Sequence, residues 1–197
     1  MTPTAIAPPR PTPALPCWLA ALLALAALCV ALSCAAVGQP AAAAVPNLER
    51  SVKAAYLFKF LGYVEFSAPK EAGDALAVGV MGADDVAAEL TRITAGRTVN
   101  GRPVAVRSLR EGDPVAGMQM VFAGTASDLP KVLRNATQNG ALAVADDENG
   151  LQHGAVINFR LVEDRVRFEV SLPAAERSNL KLSSRLLSVA WHVQKGN

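Results

Sequence analysis

Past residue 47 the hydrophobic positions fall into blocks whose spacing changes from one block to the next. Residues 48–66, LERSVKAAYLFKFLGYVEF, place Val52, Ala55, Tyr56, Phe60 and Tyr63 at helical spacing. Leu57, Phe58, Leu61 and Val64 make the opposite side apolar too, with only Lys53 and Lys59 interrupting. A helix hydrophobic nearly all round is buried within its own domain or sits in an interface; burial is the favoured reading and a partner interface the alternative.

After a polar loop comes LAVGVMG (76–82), a short apolar run ended by glycine, and then ADDVAAELTRITAG, which reads as a helix capped near Asp84 or Asp85. RPVAVRSL (102–109) alternates as a strand does. MQMVFAG (118–124) is a second buried strand, followed by SDLPKVLRNATQNG, a helix with Ser127 as expected N-cap and Pro130 in its first turn. ALAVADD (141–147) is another strand. Short apolar strands alternating with helices predict βαβ units and a mostly parallel sheet.

The last third changes style. GAVINFRLVEDRVRFEVSL (154–172) is a hairpin turning at Glu163-Asp164, with Ile157, Phe159 and Leu161 on one side and Asn158 and Arg160 on the other. On the return, Val166, Phe168 and Val170 point inward and Arg165, Arg167 and Glu169 outward, so one face is covered and one wet. KLSSRLLSVAWHVQKGN then carries Leu182, Leu186, Val189, Ala190 and Val193 as a helical stripe, capped by Ser183 or Ser184. The expected fold is an α/β class, layered α/β sandwich with a mostly parallel central sheet and a C-terminal antiparallel β-hairpin.

Composition changes the picture at the N-terminus. Residues 1–44 contain no Asp, Glu or Lys, a single Arg (Arg10), and all three cysteines of the chain, Cys17, Cys29 and Cys34. The uncharged run from Cys17 to Val37, followed by AAAA at 41–44, has the layout of a cleavable secretory signal peptide, with cleavage after Ala42 or Ala44. An uncleaved membrane anchor and lipidation at Cys34 are the alternatives, the latter weakened by Ala31 where lipoboxes usually carry Leu. All three readings put residues 45–197, one α/β domain, outside the cytoplasm. That domain has no cysteine, which excludes disulfides and Cys-based metal sites. The whole chain carries a formal charge of only +2 and has no basic run or aromatic ladder, which argues against nucleic acid as a partner. His153 and His192 are far apart and lack metal-ligand spacing, so neither a metal nor a cofactor is expected.

Three places carry candidate chemistry. The junctions Gly82-Ala83-Asp84-Asp85 and Gly124-Thr125-Ala126-Ser127 follow parallel strands, where α/β sheets bind ligands, making Gly82, Asp84, Gly124, Thr125 and Ser127 the ligand-binding candidates. Neither junction is a recognised phosphate motif, and Asp84 and Asp85 repel anions; helix capping is the simpler reading. Asp146, Asp147 and Glu148 could hold a cation or a hydrolytic centre, but DDENG reads first as a turn and supplies no nucleophile or base partner. Finally, Arg160, Arg167 and Glu169, with Arg102, Arg107 and Arg110 upstream, form either a recognition ledge or an ordinary solvated sheet face.

Two segments resemble a known family. VKAAYLFKFLGYVEF (52–66) is similar to the opening helix of the YfiR/HmsC-like periplasmic proteins, and FEVSLPAAERSNLKLSSRLLSVA (168–190) to their closing signature; the strands between follow in the same order. The resemblance implies an exported, non-enzymatic α/β domain that represses an inner-membrane diguanylate cyclase by binding its periplasmic part, lowering cyclic-di-GMP signalling and biofilm formation. It also implies sequestration by an outer-membrane lipoprotein. The cysteine-free domain departs from members with disulfides, Ser171 stands where Asn is common, and Ser67-Ala68-Pro69 replaces Trp-Pro. From the residues themselves, Tyr56, Phe60, Tyr63, Arg160, Arg167 and Glu169 are the expected partner contacts, with a sensor kinase as another membrane partner and a homodimer as a further assembly. A periplasmic small-molecule sensor or carrier is the alternative function, and an exported hydrolase using Asp146 and Asp147 the least supported one.

Overall fold

The computed structural model describes residues 44–66, 74–126 and 128–196. The leader with its cleavage and lipidation candidates, Ser67-Ala68-Pro69 and Ser127 lie outside the described residues. In chain order the elements are α1 (Ala44–Tyr63), β1 (Val64–Phe66), β2 (Leu76–Met81), α2 (Asp84–Thr94), β3 (Thr98–Val99), β4 (Arg102–Leu109), β5 (Met120–Ala123), α3 (Leu129–Gln138), β6 (Leu142–Ala145), β7 (Ile157–Val162), β8 (Arg165–Ser171), α4 (Leu172–Arg177), β9 (Leu180–Leu182), α5 (Ser184–Val189) and β10 (His192–Gln194).

The unbroken apolar runs become the middle of the sheet. An eight-stranded sheet has the order β10-β8-β7-β6-β5-β2-β4-β3, with β4, β2, β5, β6 and β7 mutually parallel. Every residue of β5 and β6 is buried, as expected where helices cover both faces of parallel strands. The expected fold class is observed. The hairpin also forms as expected: β7 and β8 pair antiparallel from Ile157↔Val170 to Val162↔Arg165. Glu163 and Asp164 both take positive φ, 50° and 56°, the geometry of a two-residue type I′ turn.

One side of the hairpin packs under α1. Phe60 reaches Phe159 with ring centroids 5.9 Å apart and Phe168 at 5.0 Å, and Phe122 of β5 meets Phe159 edge-on at 5.9 Å. Such pairs add directional preference to simple area burial, which fixes the helix against β7 and β8. The alternation predicted for the hairpin departs in two places. Leu161 is 61% exposed near the turn, beyond the reach of the core, and Asn158, expected outward and wet, is fully buried.

The C-terminal stripe does not form one helix. Leu180–Leu182 pairs antiparallel with Val64–Phe66, the last residues assigned by periodicity to the first helix, giving a separate two-stranded ribbon. Ser183 then caps the six-residue α5 by accepting from the Leu186 N–H, so the expected cap is in place but the helix stops at Val189. Ala190 is extended, the Trp191 N–H donates to the Phe168 carbonyl, and His192–Gln194 joins β8 in parallel. The end of the first helix and the start of the C-terminal stripe are misread for one cause, the β1–β9 pairing between segments more than a hundred residues apart, and the end of the stripe for another, the pairing of β10 with β8.

Two caps also differ from expectation. The α2 N-cap is Ala83, with no side-chain cap bond; Asp85 instead accepts from the adjacent Val86 N–H at 2.8 Å. At α3 the cap is Asp128, which accepts from the Lys131 N–H. Ser171 caps α4 by accepting from the Ala174 N–H at 3.4 Å; asparagine caps helices as well as serine does, so this departure from the family pattern keeps the cap.

Candidate functional site

Candidate residues gather in three places. The first is the junction at the carboxyl ends of the parallel strands. Gly82 and Gly124 come together, with the Thr125 N–H donating to the Gly82 carbonyl at 3.2 Å and the Gly124 N–H to the Met81 carbonyl at 2.9 Å. Gly82 has φ +66°, and a Cβ there would stand 1.8 Å from the Thr125 carbonyl oxygen. Loop-to-loop closure therefore accounts for this glycine without a ligand. Clefts remain on either side. One of about 260 Å³ is bordered by Arg50, Lys53, Gly82, Gly124, Thr125 and Asp146, and another of about 520 Å³ by Asp84, Ser108, Arg110 and Thr125.

Lys53 was visible in the sequence only as an interruption of an apolar helix. Its side chain is 10% exposed, and its ammonium donates to Glu49 and Asp146, each at 2.5 Å. Burial opposes the charge, but the hydrogen bonds and negative charges of Asp146 and Glu49 outweigh it and raise the Lys53 pKa above its ordinary value. This lysine is a charged strut tying α1 to the end of β6. Asp147 accepts from the Asn149 N–H at 2.8 Å, the turn geometry expected of DDENG. The nearest histidine contact is His153 Nδ1, 3.4 Å from Asp147 Oδ1. Among the described residues no cluster of His, Cys, Asp and Glu could hold a metal ion.

The second place is a groove of about 400 Å³ between α1 and α5. Tyr56, Lys59, Tyr63, Arg185 and Val189 border it, with Phe60 and Phe168 also lining it. Phe60 is 1% exposed and belongs to the core, so Tyr56 and Tyr63 are the α1 aromatic rings that reach the surface of this groove. At the end of α5 and just past it, Val189 is 65% and Trp191 55% exposed, large apolar side chains that a solvated surface does not favour. Sequence periodicity placed Val189 inside a helical stripe; its exposure became legible only once α5 ended there.

The third place is the outer face of the hairpin. Arg160 and Arg167 stand directly opposite each other, and Asn158 directly opposite Glu169. Asn158 donates to Glu169 Oε1 and to the Asp147 carbonyl, both at 2.8 Å, and accepts from the Asp147 N–H at 3.2 Å. A buried amide satisfied on three sides explains why this wet-face position could be enclosed. Arg160 donates to the Glu148 carbonyl at 2.6 Å. Arg160 and Arg167 lie on the hairpin face opposite Phe159 and Phe168, so the two predicted sets of partner contacts occupy separate surfaces. Arg102 bonds the Asp74 carbonyl at 2.8 Å, and it and Arg107 lie on β4, near the far edge of the sheet.

Among the described residues no helix is long and apolar enough to cross a membrane. Comparison with curated proteins found no match. The fold is similar to that of a conserved domain protein from Vibrio cholerae O1 biovar El Tor, solved by crystallography, with a TM-score of 0.52 at 10% identity. The match covers 74% of this chain and 60% of that one, so the likeness reaches the fold alone. The model of the YfiR/HmsC-like family matches residues 50–191, from within α1 through the exposed tryptophan. The chain therefore belongs to the YfiR/HmsC-like family.

Proposed function

We propose that this protein is a periplasmic, non-enzymatic regulator that binds the periplasmic part of an inner-membrane diguanylate cyclase and lowers cyclic-di-GMP synthesis. Family membership supplies the regulatory class. The observation that carries the binding role is the groove between α1 and α5, with Tyr56 and Tyr63 on its border and Val189 and Trp191 exposed beside it. Aromatic side chains with one apolar and one polar end are the residue types that dominate binding energy in protein interfaces.

The test is affinity capture with the tagged protein from detergent-solubilised membranes, followed by mass spectrometry of what is retained. Wild type retains a diguanylate cyclase, and Tyr63→Ala combined with Trp191→Ala reduces retention at least tenfold while the melting temperature stays within a few degrees. Retention of no membrane signalling protein by the wild type overturns the reading. Equal retention by the double variant moves the contact away from this groove.

A further inference from the structure

The cross-strand pair Arg160↔Arg167 is a mismatch by the ordinary rules of sheet pairing. Residues directly opposite in an antiparallel pair have Cβ atoms about 5 Å apart, and like charges there are destabilising. The nearby acidic group on the same face, Glu169, accepts from Asn158 and makes no ion pair with either arginine among the described residues. Arg160 is half-buried and tethered to the Glu148 carbonyl, while Arg167 is exposed, and among the described residues neither makes an ion pair with a carboxylate. Two guanidinium-bearing side chains thus leave the same face of the sheet from directly opposite backbone positions.

The geometry points to a carboxylate clamp: Arg160 and Arg167 together take the side-chain carboxylate of an acidic, extended segment of a protein partner. Guanidinium groups match carboxylates in shape and bond them with two parallel hydrogen bonds, and an anion between the two removes their mutual repulsion. A protein segment suits this place because it is a strand surface rather than an enclosed pocket, where a neighbouring backbone adds contact that a free anion lacks. The inference rests on the reading of this chain as a binding module and names the chemistry of one contact on its hairpin face.

The experiment measures binding of a fluorescent tetraglutamate peptide, with tetraglutamine as control, and melting temperatures of the same proteins. Wild type binds tetraglutamate and not tetraglutamine; Arg160→Gln and Arg167→Gln each weaken binding at least tenfold, and Arg107→Gln on distant β4 leaves it unchanged. Arg167→Glu abolishes binding and raises the melting temperature by a few degrees, because it replaces the like pair by an opposite one. That combination separates a clamp from a merely structural arginine, whose loss lowers stability. Failure of the wild type to prefer tetraglutamate, an equal loss with Arg107→Gln, or a fall in melting temperature with Arg167→Glu overturns the clamp. A wild-type protein that retains a membrane cyclase without binding tetraglutamate removes the clamp and leaves the regulatory reading standing; peptide binding without any retained partner does the reverse.

Discussion

The parallel centre and the antiparallel end of this sheet use their side chains differently. In β5 and β6 both faces are enclosed, and every residue contributes to the core. In β7 and β8 one face carries Phe159 and Phe168 under α1, while the other carries Arg160 and Arg167. Strands covered on both sides can offer a ligand only their ends, where Gly82 packs against Thr125 and clefts remain on either side. A hairpin covered on one side keeps part of its other face, around Arg167, exposed. Recognition in this molecule is therefore expected at the hairpin and the helices α1 and α5 beside it, with the parallel centre serving as their support.

The sharpest way to break that comparison is Phe60→Ala. Phe60 is 1% exposed at the middle of the aromatic cluster that joins hairpin to helix, and its removal is expected to cost about 3–5 kcal/mol. Tyr63→Ala, on the groove border, should cost about 1 kcal/mol, because a half-exposed ring leaves less of a cavity. Urea titration of the two variants measures the difference. Equal costs would mean that the groove border is core as well and that no free surface exists there. At the other end, Gly82→Ala should cost about 2–4 kcal/mol, since a Cβ would stand 1.8 Å from a carbonyl oxygen. Gly140→Ala, also at positive φ but with its nearest neighbour 3.8 Å away, should cost about 1 kcal/mol. If the two alanine variants cost the same, backbone conformation rather than loop closure governs the Gly82 junction.

What the sequence made legible follows the same division. Strands such as MVFA and LAVA announce themselves because every position obeys one rule, and the hairpin because alternation and turn agree. Asn158 escaped because its burial depends on Asp147 and Glu169, partners supplied by a turn and a neighbouring strand. Lys53 escaped for the same reason, as its two carboxylates come from α1 itself and from residue 146. The β1–β9 ribbon was hidden in two apparently helical stripes. Of the proposed partner contacts on α1, spacing could not separate Tyr56 and Tyr63 from the buried Phe60, since helical periodicity gives the face and not the depth.

The hairpin turn tests whether the antiparallel end is tuned less tightly than the centre. Glu163 and Asp164 hold positive φ without being the residues that tolerate it best. Glu163→Asn together with Asp164→Gly should raise stability by about 1 kcal/mol, read by thermal or urea unfolding. No gain would indicate that these two carboxylates already make compensating interactions at the tip.

The smallest effect lies between α1 and α2 and is read best from the pH dependence of stability. Glu89 on α2 accepts from Arg92 Nε and Nη2 at 2.9 and 2.8 Å and from the Ser51 hydroxyl of α1 at 3.1 Å. The Arg92 hydrogen bonds, aided by Ser51 and opposed by desolvation, lower its pKa from 4.5 to about 2. A carboxyl held below its unfolded value binds its proton more weakly in the folded state, so its contribution is complete above pH 4.5 and is lost as pH falls toward 2. Glu89→Gln should therefore lower stability slightly at neutral pH and flatten the acid limb of the stability profile. Ser51→Ala should move that limb upward by less, because Arg92 remains. An unchanged acid limb in Glu89→Gln would show that the Glu89 contacts add nothing to the hold on α1, and that its outward aromatic side chains need no such latch to α2 to stay in place.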